Sequence, residues 1–186
     1  LGAINTHQYF NLTYEDYGGD MYEFYQYISS LTGSDSFPSF CQSNGCSYLA
    51  AGMSMHADYF NDAMTLAVLH APFIEKGHTT SWMMRAFAMF LPFLSFIDNN
   101  LGFGLLLDTN IFRDAYRMVC PIMPFICIAT FTSGVDQNPT IMELDIAIEA
   151  LTTSGNADIP LRIFEHIGQN VRDRAFRHFD YGPQGN

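Results

Sequence analysis

The pentapeptide Cys41-Gln42-Ser43-Asn44-Gly45 holds the residue types and spacing that could do covalent chemistry. Acyl transfer needs a serine hydroxyl held exposed, with a backbone N–H beside it to receive the oxyanion. A sharp turn from a strand into a helix supplies both. The usual pattern there is G-x-S-x-G, because small flanking residues let strand and helix approach. Gly45 fits that pattern, and Cys41 stands in place of the first glycine. The residues that follow, Cys46-Ser47-Tyr48-Leu49-Ala50-Ala51-Gly52, include the small face that packing under a sheet requires. S-x-G alone is common, so a serine in an ordinary strand-to-helix turn stays open as the alternative.

The other reactive side chains carry less. Cys41 and Cys46 flank Ser43, one in the strand and one in the helix, and read as buried packing residues, with a thiol nucleophile as the competing reading. Cys120 and Cys127 either pair in an oxidising compartment or remain a reduced buried pair. With no CxxC and no paired histidines at ligand spacing, neither a metal nor another cofactor is expected. The histidines are His7, His56, His70, His78, His166 and His178. His70 lies at the end of the strand next to the elbow and reads as a packed or hydrogen-bonded residue rather than a base. His178 and Asp180 look like a pair, but i,i+2 spacing arises by accident, and Asp58 and Asp62 read as solvated.

These residues need elements to position them. Thr13 with Asp16 resembles a helix cap, though Gly18-Gly19 interrupts it; with Asp20 as N-cap, the apolar positions Met21, Phe24, Tyr25, Tyr27, Ile28 and Leu31 form a helical stripe that Gly33 ends. Residues 39–42 read as a short buried strand and 45–57 as a helix of small residues. Residues 64–69 (MTLAVL) read as the next parallel strand, apolar on both faces and stopped by Pro72. Helix, strand, helix, strand predicts an α/β sheet. Beyond it the clearest helical stretches are 81–96, 110–119, 140–151 and 160–170.

Composition narrows the function. Net charge is −11, from 8 basic and 19 acidic residues, which argues against a nucleic-acid partner and against docking on anionic membranes. Any lipid contact would be apolar. The 17 Phe, 10 Tyr and 10 Met suit either a soft apolar binding surface or a phenylalanine-filled core. The longest apolar run, 86–97, contains Pro92 and falls short of the ~20 residues a membrane span needs, so no transmembrane segment is expected. The first residues form no charged and apolar leader, which suits a mature chain or an internal segment.

Several separated stretches, in order, resemble the acid lipase family of α/β-hydrolases, the gastric and lysosomal acid lipases. "LTYEDYGGDMYEFYQYISSLTG" resembles that family's F-S-[YF]-D-E-M stretch and the helix after it, ending in T-G. "CQSNG" falls where the family has G-[HY]-S-Q-G, and "LAVLHAPF" is similar to its strand ending in L-A-P-V. "SGNADIPLRIFEHIGQNVRDRAFRHFDYG" is similar to H-x-P-A-G-T-S, a helix with H-[WY]-x-Q, and F-x-x-F-D-[YW]-G. Residues 74–150 are only loosely alike.

The resemblance implies a partial α/β-hydrolase core over 1–72, a helical cap over 73–175 and a return towards the core over 176–186. It implies Ser43 as acyl nucleophile, the Asn44 backbone N–H as an oxyanion donor, and Gln42 on the substrate side, where the family has His or Tyr. His166, Gln169 and Phe179-Asp180-Tyr181-Gly182 match structural motifs of the cap and its exit. The family's catalytic Asp and His follow the F-D-[YW]-G turn, and its first strands precede the stretch corresponding to Leu1. The chain therefore reads as the centre of a longer polypeptide, completed by the rest of that chain or by a partner protein. The implied activity is hydrolysis of lipid esters; the alternative is a lipase-like structural or binding subunit without turnover. The Asn11-Leu12-Thr13 sequon and the resemblance both point to the secretory or lysosomal route.

Overall fold

The computed structural model describes residues 8–9, 11–101, 109–125, 128–129, 143–149 and 160–182. His7, Cys127 and both ends of the helical stretch expected over 140–151 lie outside the described residues. Packing divides the chain into one unit of Leu1–His78 with Gln169–Asn186, and a second of Thr79–Gly168.

The first unit begins with helix α1, Tyr14–Thr32. The Asp16 carboxylate accepts from the Thr13 N–H at 2.8 Å and the Thr13 hydroxyl at 2.9 Å, so residues 13 and 16 fix the helix start as their spacing predicts. Gly33 ends the helix in the left-handed conformation, φ 68°. The expected break at Gly18-Gly19 and a second cap at Asp20 do not occur, because Gly18 serves packing. A Cβ on Gly18 would lie 2.8 Å from the Gly52 backbone N, and one on Gly52 would lie 2.9 Å from the Gly18 carbonyl oxygen. Two missing side chains let α1 cross the next helix with the backbones in contact.

Strand β1 is Phe37–Gln42, helix α2 Asn44–Met55, helix α3 Ala57–Ala63 and strand β2 Met64–His70. β1 and β2 pair in parallel, with Phe40 opposite Val68, Cys41 opposite Leu69 and Gln42 opposite His70. The result is mixed helix and sheet with a two-stranded parallel core, a partial α/β arrangement. Ser39 and Cys41 face inward, and Cys41, Cys46, Leu49 and Phe60 form the buried centre. Tyr25 stacks on Phe37 at 4.3 Å and hydrogen-bonds Ser39 at 2.8 Å, joining α1 to β1. β2, expected to be buried on both faces, is exposed along nearly its whole length, as is Phe40. Nothing among the described residues covers that side of the sheet.

The second unit is helical where described: α4 Trp82–Leu101, α5 Thr109–Val119, α6 Leu144–Glu149 and the first part of α7, Leu161–Asp173, whose remainder belongs to the first unit. α4 runs through Pro92. α7 meets α4 at Gly168, where a Cβ would stand 2.8 Å from Leu91 Cδ2, and Phe87 meets Phe164 edge to face at 5.6 Å. Ile163 and His166 are buried within this unit. Among the described residues no helix is long and apolar enough to cross a membrane.

Candidate active site

Ser43 is the one residue between β1 and α2, and its backbone has φ 49° and ψ −122°. A non-glycine residue with positive φ costs on the order of 1–3 kcal/mol and persists only where its surroundings over-determine it. Those surroundings are specific. The Ser43 N–H donates to the His70 carbonyl at 3.0 Å. The Ser43 carbonyl accepts from the Cys46 and Phe73 N–H groups, both at 3.1 Å. The turn is thus pinned to the end of β2 and to the loop after it. Ala71 is also at positive φ, 45°, so two strained residues lie side by side at the carboxyl ends of adjacent parallel strands. Ligands of open α/β sheets bind at that end.

Ser43 holds the N-cap position of α2 but makes no side-chain cap hydrogen bond, and it is exposed. An ordinary N-cap serine adopts extended backbone and gives its oxygen to the first-turn amides. This hydroxyl is left available instead. Asn44 opens α2, so its N–H belongs to the first-turn amides that lack an intrahelical acceptor. Gln42 is exposed at the strand end.

A buried network supports the turn from below. The Tyr14 hydroxyl donates to Asn44 Oδ1 at 2.7 Å, and Asn44 Nδ2 donates to the Tyr48 hydroxyl at 2.9 Å. Burial raises the pKa of Tyr14 and of Tyr48 above the ordinary tyrosine value; the Tyr48 phenolate charge adds to the rise at Tyr14, and the hydrogen bond from Asn44 opposes it at Tyr48. Both therefore remain protonated and able to donate. Lys76, 2% exposed, donates from Nζ to Ser47 Oγ at 3.2 Å, and the Ser47 hydroxyl donates to the Phe73 carbonyl. The ammonium lies over the rings of Tyr14, Phe73 and Phe176 at 4.5, 4.8 and 5.1 Å. Burial lowers its pKa to about 7, against the opposing pull of Glu75.

The cysteines depart from expectation. Cys41 and Cys46 are bonded to each other, with Cα atoms 5.0 Å apart, and so are neither packing thiols nor nucleophiles. Cys120 is also disulfide-bonded. Gly45 has open space where a Cβ would stand; the close approaches in this unit are at Gly18, Gly52 and Gly77 instead.

The histidines take separate places. His70 is exposed, its ring on Phe40 and its backbone carbonyl on Ser43. His56 closes α2 at the far end from Ser43, stacked on Tyr22 at 3.9 Å beside a cavity of about 400 Å³. His178 pairs with Glu15 at 3.1 Å rather than with Asp180. Asp180 uses its carboxylate on the Gly182 N–H and exchanges two backbone hydrogen bonds with the Gln169 amide, at 2.8 and 2.9 Å. Among the described residues no cluster of His, Cys, Asp and Glu could hold a metal ion.

Sequence reasoning singled out Ser43, Asn44 and Gln42; it did not single out Tyr14, Ser47, Tyr48, Lys76 or Ala71. A five-residue cysteine spacing astride the serine was the available signal for the bridge. A lone lysine after Phe73-Ile74-Glu75 carries no signal that it is buried.

Comparison with family models, with curated proteins and with solved structures gives no match to this chain.

Proposed function

We propose that Ser43 is the nucleophile of a serine ester hydrolase of the acid-lipase type, acting on lipid esters. The observation that carries this reading is the Ser43 backbone, φ 49° and ψ −122°, in a turn from a parallel strand into a helix that the serine does not cap. In this reading a base takes the Ser43 proton and Oγ attacks the ester carbonyl. The Asn44 N–H donates to the oxyanion, and water then releases the fatty acid from the acyl-enzyme. The chemistry requires no metal or cofactor. The order of the acid-lipase-like stretches supports the lipid-ester class, and a chain with two disulfide-bonded sites suits an oxidising, secretory or lysosomal setting.

The second reading is a lipase-like binding subunit without turnover. The exposed apolar residues Phe40, Leu66, Val68 and Leu69 favour it, since a parallel sheet is normally covered on both faces. In either reading the rest of the polypeptide or a partner protein completes the sheet.

Release of fatty acid from emulsified triacylglycerol and sterol esters by the full-length protein tests the first reading. Ser43→Ala is expected to lower the rate by on the order of 10³-fold or more. Hydrolysis that survives this substitution unchanged would reject Ser43 as nucleophile. Loss of partner association in the same variant would count against the second reading.

A further inference from the structure

Cys41 lies in β1, and Cys46 in the first turn of α2; they are 8% and 0% exposed, and the bond between them spans Ser43. In the usual elbow the position of Cys41 is glycine, because strand and helix converge there. Here the space is filled by two sulfur atoms that share a covalent bond. Unbonded, two thiols would need a full van der Waals separation between the strand end and the first helical turn. The hydrogen bonds already described fix Ser43 to β2 and to its following loop. The disulfide and the Cys46 N–H to the Ser43 carbonyl both tie the strand end to the first helical turn.

We propose that the Cys41–Cys46 bridge is a positioning element for Ser43. It holds the end of β1 against α2 and so keeps Ser43 in its strained, exposed conformation, doing by covalent linkage what a glycine at position 41 does by absence. The proposal rests on the reading of Ser43 as nucleophile, and it extends that reading to two residues that touch no substrate. It makes cysteine at 41 and cysteine at 46 a unit: either alone is worse than both or neither.

Three full-length proteins test it: the wild type, Cys46→Ser, and Cys41→Gly/Cys46→Ser. A non-reducing peptide map of the wild type should show residues 41 and 46 linked. The rate of labelling by a fluorophosphonate should fall at least roughly tenfold in Cys46→Ser, since displacing a reacting group by about 1 Å costs on the order of 10²-fold. Adding Cys41→Gly should restore it to within about threefold of wild type, a rescue that general loss of stability would not give. Amide exchange at residues 43–46 should rise in the single variant and return in the double, with α1 unchanged. Free thiols at 41 and 46, equal labelling in the wild type and Cys46→Ser, or no rescue by glycine would overturn the proposal. If none of the three proteins is labelled, the nucleophile reading fails, and amide exchange alone decides the role of the bridge.

Discussion

Two helices of the first unit begin with a hydroxyl residue, and they treat it in opposite ways. At the start of α1, Thr13 is fully buried with extended backbone, φ −111°, and its hydroxyl is committed to Asp16. Two acidic residues, Glu15 and Asp16, occupy that first turn, where negative charge complements the helix dipole. At the start of α2, Ser43 is exposed at φ 49° and caps nothing. No acidic residue lies in that first turn, and the buried Lys76 ammonium is held to Ser47 of the same helix. One terminus is satisfied for stability. The other keeps its hydroxyl, and leaves its positive end uncompensated, at an energetic cost. Under the proposed function, local stability is exchanged for reactivity at that second terminus.

Four substitutions sharpen or break this contrast. The largest effect is expected at Lys76. Its pKa of about 7 in the fold lies below the ordinary lysine value of about 10.4 that holds in the unfolded chain. Between these values the unfolded chain binds more protons, so stability rises with pH by up to about 1.4 kcal/mol per unit. Below pH 7 the cost of burying the ammonium is present in full. Lys76→Met should therefore flatten the wild-type slope between pH 7 and pH 10 in denaturant titrations; parallel slopes would show that the ammonium is not buried. Next comes the cap: Thr13→Ala should cost about 1–2 kcal/mol, while Ser43→Ala should change stability by less than about 0.5 kcal/mol. Opposite in sign, Ser43→Gly should stabilise by about 1 kcal/mol by releasing the positive φ. Equal losses at Thr13 and Ser43 would make Ser43 an ordinary cap.

The contrast also marks what the sequence makes legible. Thr13 with Asp16, Gly33, the two short apolar strands and the serine between strand and helix follow from local rules, and the structure places them accordingly. A glycine pair reads locally as a helix break, yet Gly18 is glycine because of Gly52, thirty-four positions away. The parallel pairing of β1 with β2 matched expectation, yet the exposure of β2 did not, since burial depends on what lies beside a strand and not on the strand. The Tyr14–Asn44–Tyr48 and Lys76–Ser47–Phe73 contacts join residues distant in sequence, each unremarked by its own neighbours. Cys41 reads locally as a small residue in place of glycine, but it is bonded to Cys46, five positions on. The resemblance to acid lipases rests on short ordered stretches, which is why the hydrolase reading stands on Ser43's geometry.

The most direct test is to treat the full-length protein with a fluorophosphonate and map the adduct by mass spectrometry. The account predicts a single phosphonylated residue, Ser43, and no adduct in folded Ser43→Ala. An unlabelled wild type, or an adduct that persists at another residue when Ser43 is alanine, would contradict it.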